Sequence, residues 1–110
     1  MEDTPIKQLC DVVEQAHAKI QQDFKNINPV VGVNKKMRTV GIPTDFMTID
    51  CLKSGKRILF VLHDARPEMA QYQFCLRDED PADEFESIAL QNLTVQQLYD
   101  WMKETFSTGH

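Results

Sequence analysis

The sequence predicts an α+β fold with a long N-terminal helix, an antiparallel sheet of about four to six strands and a C-terminal helix. Near both ends of the chain, apolar residues recur at spacings of three and four, which is the pattern of amphipathic helices. Between these ends, short apolar segments follow one another without a crossover helix, which favours an antiparallel sheet. With 110 residues, of which 42% are hydrophobic and 26% charged, the chain predicts one domain over residues 1–110.

The N-terminal helix has Thr4 as its expected N-cap and Pro5 at its first helical position. We expect about six turns that end between Asn26 and Asn28, because Pro29 disfavours helical geometry in the residue before it. The apolar residues of this helix form a stripe that is typical of a helix facing a core. His17 lies on this stripe, and we expect it to be a satisfied core or interface residue. The stripe comprises Ile6, Leu9, Cys10, Val13, Ala16, His17, Ile20, Phe24 and Ile27.

Strand-like segments follow Pro29. Residues 30–33 and 37–40 flank a polar Asn-Lys-Lys and predict a short hairpin or an irregular arm. Residues 46–53 and 56–64 are separated by Ser54 and Gly55, which predicts a hairpin with a two-residue turn. That turn would place Lys53 opposite Lys56, and therefore Cys51 opposite Ile58, Ile49 opposite Phe60 and Met47 opposite Leu62.

A third strand of this sheet is predicted over residues 70–77, with Gln71 opposite His63 and Cys75 opposite Leu59. A fourth strand over residues 86–91 would point Ile88 and Leu90 inward.

The C-terminal helix has a well-defined predicted start. Thr94 and Gln97 have the spacing of a capping box, and Leu93 and Leu98 have the spacing of a hydrophobic staple. Its expected buried stripe is Val95, Leu98, Tyr99, Met102 and Phe106, with Trp101 at the edge.

The predicted sheet has two unlike faces. The first face is apolar and would hold the helices; it comprises Met47, Ile49, Cys51, Ile58, Phe60, Leu62, Tyr72, Phe74 and Leu76. The second face mixes apolar and polar side chains: Phe46, Thr48, Asp50, Leu59, Val61, His63, Gln71, Gln73 and Cys75. Either a helix crosses this second face as well, or the face is kept for a second subunit or a ligand.

Charge is distributed unevenly along the chain. The formal net charge is −5, yet residues 78–86, here called the acidic segment, carry −6 and residues 35–57 carry +4. The six carboxylates of the acidic segment are Asp78, Glu79, Asp80, Asp83, Glu84 and Glu86. They either lie in solvated loops that neutralise the basic stretch within the fold, or they accelerate binding to a basic partner by electrostatic steering.

Sequence patterns for catalysis or metal binding are weak. His63 and Asp64 with Cys75 form the one grouping that resembles a catalytic site, but the predicted register separates His63 from Cys75 by about 13 Å. The three cysteines predict buried thiols rather than a disulfide framework or a zinc site. No nucleotide, hydrolase or metalloprotease motif is present in the sequence, so we expect no catalytic residue, metal or cofactor. An enzyme with dispersed catalytic residues stays an alternative.

These observations favour a small, acidic, non-enzymatic protein-interaction domain, as in accessory or immunity-like proteins. We expect a homodimer that binds a protein partner with a basic surface, and neither nucleic acid nor a membrane. The N-terminal sequence lacks the pattern of a secretory signal, so a cytoplasmic location is expected. The alternative is a small-molecule-binding domain that uses the second face around Phe46, Thr48, Leu59, Val61, His63, Gln71 and Gln73.

Overall fold

A computed structural model gives the fold and describes residues 5–24, 27–79 and 84–107. The elements are α1 (Pro5–Asp23), β1 (Val30–Asn34), the one-turn helix α2 (Lys36–Thr39), β2 (Thr44–Cys51), β3 (Lys56–His63), β4 (Met69–Leu76), β5 (Glu86–Ala89), a 3-10 turn (Leu90–Asn92) and α3 (Val95–Ser107). The five strands form one antiparallel sheet in the order β1-β2-β3-β4-β5. The predicted α+β fold is confirmed. None of the described helices has both the length and the hydropathy needed to cross a membrane.

Helix α1 is shorter than the sequence predicts. It ends at Asp23 instead of reaching Asn26. The amide of Ile27 donates to the carbonyl of Phe24 at 3.1 Å, which closes a tight turn and leads the chain towards β1. Ile27 is thereby buried in the core without being helical. The expected N-cap, Thr4, lies outside the described residues.

The segment after β1 is helical, so the predicted strand over residues 37–40 is wrong. The side-chain oxygen of Asn34 accepts a hydrogen bond from the amide of Lys36 at 2.8 Å, and this turn leads directly into α2. Gly41 then adopts a positive φ of 87°, which redirects the chain into β2. The hairpin alternative is therefore excluded, whereas the strand predicted over residues 30–33 is confirmed as part of β1.

The strand register differs from the predicted one by two residues. Cys51 lies opposite Lys56, Ile49 opposite Ile58 and Met47 opposite Phe60, because the β2–β3 connection has four residues and not two. Gly55 has a positive φ of 74° within this connection. The β3–β4 register shifts by the same amount and places Cys75 opposite Arg57. Since side chains alternate with a period of two, an even shift leaves every residue on its predicted face.

Both long helices pack on the first face. Their buried side chains join Met47, Ile49, Ile58 and Phe60 in one hydrophobic core. Leu59 and Val61, on the second face, are buried outside that core. The alternative in which a helix crosses the second face is therefore wrong for the described helices.

Helix α3 begins as the sequence predicts. The hydroxyl of Thr94 accepts a hydrogen bond from the amide of Gln97 at 3.0 Å, and Leu93 and Leu98 are both buried. Trp101 lies at the edge of the buried stripe, with its ring 4.6 Å from the Tyr72 ring. At the other side of α3, the Tyr99 hydroxyl donates to Asp23 at 2.6 Å and ties α3 to the end of α1.

Candidate functional site

The acidic segment lies at the end of the sheet where β4 and β5 are connected. Asp78, Glu79, Glu84 and Glu86 are exposed, whereas Asp80 and Asp83 lie outside the described residues. No ion pair joins Asp78, Glu79 or Glu84 to another residue of the described chain. Three negative side chains are thus presented to solvent without a described cationic neighbour in contact.

A pocket of about 480 Å³ lies against the acidic segment. Its lining consists of three aromatic rings, two carboxylates and an amide: Tyr72, Phe74, Phe85, Glu84, Glu86 and Gln73. The Gln73 side chain donates to the Glu84 carbonyl at 2.7 Å and holds the end of the segment against β4. Burial, with Glu86 beside it, raises the pKa of the Tyr72 phenol. The pocket therefore combines aromatic surface with negative charge.

The aromatic wall of this pocket is anchored in the core. The Phe74 ring stands edge-on to both the Trp101 ring, at 5.6 Å, and the Tyr72 ring, at 6.0 Å. Phe60, which is fully buried, contacts Trp101 and Tyr72 from below with centroid distances of 6.4 Å. Phe74 is nevertheless exposed, so the cluster presents a fixed aromatic surface to solvent. Sequence reasoning assigned Phe74 to the core and did not identify this role.

The basic stretch is divided between the two ends of the sheet. Lys35, Lys36 and Arg38 follow β1 and lie at the end opposite the acidic segment, since the sheet is antiparallel. Lys53 lies within the β2–β3 connection and Lys56 follows it, at the same end as the acidic segment, where the Arg77 amide donates to the Gly55 carbonyl at 2.9 Å. One strand length of about 25 Å separates charges that the sequence groups together.

Arg38 is held between two aspartates. Its guanidinium donates to Asp45 at 2.6 and 3.0 Å and to Asp64 at 2.8 and 2.6 Å, so it binds both carboxylates in bidentate fashion. Asp45 is buried and Asp64 is half-exposed. These hydrogen bonds raise the pKa of Arg38 and lower the pKa of Asp64. The cluster fastens α2 to the ends of β2 and β3, and we assign it a structural role.

A second bidentate pair lies on the second face. Arg57 donates to Asp50 at 2.6 and 2.9 Å, with Arg77 3.9 Å from the same carboxylate. The hydrogen bonds to Asp50 raise the pKa of Arg57, and the more distant charge of Asp78 acts in the same direction. The arginines of the basic stretch are therefore neutralised mainly by Asp45, Asp50 and Asp64. Neither pair could be recognised from sequence spacing.

The register brings the second-face candidates together as one patch. Phe46 lies opposite Val61, Thr48 opposite Leu59, and Leu59 opposite Gln73. Leu59 and Val61 are 6% and 5% exposed, so the apolar centre of the patch offers little surface to a ligand. The small-molecule alternative stays a prediction.

His63 has both ring nitrogens engaged. Its Nε2 donates to Gln71 at 2.9 Å, and its Nδ1 accepts from the Thr44 hydroxyl at 3.2 Å. Cys75 lies opposite Arg57, six residues along β3 from His63 and thus farther away than predicted. Burial raises the pKa of both the Cys75 and the Cys10 thiols, which disfavours the thiolate. Within residues 5–24, 27–79 and 84–107, no three His, Cys, Asp or Glu side chains converge on a point suited to a metal ion.

Two further pockets lie among the described residues. A cavity of about 260 Å³ adjoins the Arg38 cluster and Pro5, and an open groove of about 640 Å³ runs between α1 and β1. Comparisons of the chain with protein-family models, curated proteins and solved structures find no match. The geometry and charge of the described residues therefore carry the functional assignment.

Proposed function

We propose that the protein is a non-enzymatic interaction protein, a homodimer that binds a protein partner with a basic surface through its acidic segment. The observation that carries this proposal is the pocket in which Glu84 and Glu86 adjoin Tyr72, Phe74 and Phe85. A lysine or arginine side chain matches such a lining, because its aliphatic stem packs on aromatic rings and its charge is attracted to both ring faces and carboxylates.

The exposed carboxylates around the pocket would act before contact is made. Asp78 and Glu79 project from the same end of the sheet and have no described salt-bridge partner. Clustered charge of one sign raises the association rate with an oppositely charged protein, and salt weakens this effect. We therefore assign steering to the acidic segment and anchoring to the aromatic pocket.

Two further observations support an interaction protein over an enzyme. The nitrogens of His63 are occupied by Thr44 and Gln71, and the half-buried thiols have raised pKa values. The three cysteines are free thiols, a state that suits a reducing compartment, and we place the protein in the cytoplasm.

The test begins with capture of binding proteins from a lysate on the immobilised full chain. The captured protein is purified, and its association rate is measured at about 50 and 300 mM NaCl. We expect a partner with a basic surface. Replacing the six carboxylates of the acidic segment by amides should lower the association rate at low salt by about tenfold or more and flatten its salt dependence.

A matched variant separates local charge from net charge. It replaces six carboxylates outside the acidic segment by amides, namely Glu2, Asp3, Asp11, Glu68, Asp100 and Glu104, and so changes the net charge equally. This variant should retain most of the wild-type rate. Equal loss in both variants, or unchanged kinetics in the first, contradicts a steering role for the acidic segment.

The Phe74→Ala variant tests the anchoring role. Since the ring is exposed in the free protein, its removal should leave the association rate unchanged and raise the dissociation rate about fivefold. Leu76→Ala, at an equally exposed apolar position on the same strand, is the control. An unchanged dissociation rate for Phe74→Ala excludes the pocket as the anchor.

A further inference from the structure

Strand β1 is an unprotected edge of the sheet. It pairs with β2 on one side, and no described strand pairs with its other side. All five residues of its sequence Val-Val-Gly-Val-Asn are exposed and none is charged. Exposed edges are usually protected by charges, prolines or bulges within the strand. The opposite edge, β5, is shorter and begins with the charged Glu86.

Exposed apolar side chains are concentrated beside this edge. Six of the nine large exposed apolar residues of the described chain fall within residues 30–42: Val30, Val31, Val33, Met37, Val40 and Ile42. Large exposed apolar patches often mark interaction sites. A groove between α1 and β1, lined by Cys10, Val13, Glu14, His17 and Val31, adds to it.

The sequence of β1 is complementary to itself. Antiparallel pairing of two copies about Gly32 places Val31 of each copy opposite Val33 of the other. Val31 and Val33 lie opposite Ile49 and Met47 of β2 and therefore project on the helix-bearing face, so four valines would meet there. No charged residue of β1 would meet a like charge. One two-fold axis produces both halves of this contact, as in an isologous dimer.

Charge is also complementary across such a contact. Lys35 follows β1, and antiparallel pairing carries it to the start of β1 in the other copy. In that copy, Glu14 lines the groove beside Val31, which is near the start of β1. Lys35 of one copy would thus approach Glu14 of the other, twice in the dimer.

The exposed surface extends beyond β1. Residues 30–43 are exposed without interruption, and Glu14 of α1 is exposed in the adjoining groove. A standard protein interface takes roughly 20 residues a side, so pairing through β1 would draw on these neighbours as well. We propose that β1 of two molecules pairs about Gly32, so that the two sheets form one continuous ten-stranded sheet.

This inference rests on the homodimer of the proposed function and names its interface. Sedimentation velocity of the full chain over about 1 to 200 µM should show a dimer. Val33→Lys should raise the dimer dissociation constant about tenfold or more, because it sets a charge opposite Val31 of the other copy. Leu76→Lys, at a position of matching exposure on β4, should leave it unchanged.

The possible outcomes distinguish the inference from the proposed function. A wild-type monomer at every concentration overturns both the homodimer and the β1 contact, and leaves partner binding by the acidic segment to its own test. A dimer that resists Val33→Lys but is broken by Phe46→Lys, on the second face, overturns the β1 contact alone. Circular dichroism establishes that each variant is folded.

A cross-linking measurement tests the register without changing the charge. Proteins carrying Val31→Cys and Val33→Cys are prepared with Cys10→Ser, since Cys10 lines the groove beside Val31. One protein carries an affinity tag, and the two are mixed and oxidised with glutathione disulfide. Residues 31 and 33 lie directly opposite each other in the proposed register, whereas identical positions lie diagonally at about 7 to 8 Å. We expect the disulfide between residue 31 of one protein and residue 33 of the other to exceed the 31–31 and 33–33 disulfides together by about threefold or more. Equal amounts overturn the register.

Discussion

The arginine at position 38 shows how single residues shape this fold. Arg38 donates at least four hydrogen bonds to two carboxylates that lie in different strands or turns of the chain. Asp45 could not be buried without such a partner, because an isolated buried carboxylate is strongly disfavoured. Asp64 binds the same guanidinium from the solvent side. The exposed segment after β1 is thereby held against the sheet by a charged contact rather than by apolar packing.

The pH dependence of stability should reveal this contact. Arg38 lowers the pKa of Asp64, so the ionised carboxylate stabilises the fold above its unfolded pKa of about 4, and this contribution is lost as the pH falls through the lower folded value. The difference in unfolding free energy between wild type and Asp64→Asn should therefore be largest near pH 7 and narrow below about pH 4. Urea denaturation at several pH values measures it.

The control for this prediction is the same comparison in an Arg38→Gln background. Without the guanidinium, Asp64→Asn should no longer change the pH dependence of stability. A difference that persists in that background would show that Arg38 is not the cause.

Residues of the candidate site were only partly predictable. The acidic segment is visible in the sequence because six carboxylates fall within nine residues. Its pocket is not visible, because Phe74 and Phe85 come from different segments and alternation alone assigns Phe74 to the core face. Whether that face is covered at Phe74 depends on the length and position of α3, which local patterns do not encode.

At the scale of elements, the start of α3 follows from a short local signal. Thr94 caps the helix through the Gln97 amide. Thr94→Ala should lower the free energy of unfolding by about 1 kcal/mol, since it leaves a helix N-terminal amide without its partner. Urea denaturation should show a lower midpoint with an unchanged slope. Thr94→Asn, which retains a capping oxygen, should remain close to wild type; an equal loss in both variants would argue against capping.

Elements with such local signals were predicted well, and their boundaries and registers less well. The β2–β3 turn was predicted from Ser54 and Gly55, but the connection also includes Leu52 and Lys53, so the register moved by two residues. The faces were still correct because the shift was even. The strand predicted over residues 37–40 failed because Asn34 starts a helical turn there. The choice between a strand and a helical turn at this place depends on a side-chain hydrogen bond, which the spacing of apolar residues does not reveal.

For the whole molecule, the structure shows which charges of the sequence are paired within the fold and which are exposed. The described carboxylates of the acidic segment are exposed at one end of the sheet, while Arg38 and Arg57 are neutralised by aspartates elsewhere. The two helices cover one face and leave β1 as an apolar edge. We therefore propose separate surfaces for self-association and partner binding: β1 at one side of the sheet, and the acidic segment beside the other.

Amide hydrogen exchange of the wild-type chain tests this account most directly. If two copies pair through β1, the outward amides of residues 30–34 become hydrogen-bonded in the dimer, so they should exchange more slowly at about 200 µM than at about 1 µM. Strand β5 should exchange at the same rate in both solutions and serves as the internal control. Exchange of residues 30–34 that is fast and independent of concentration would contradict pairing through β1.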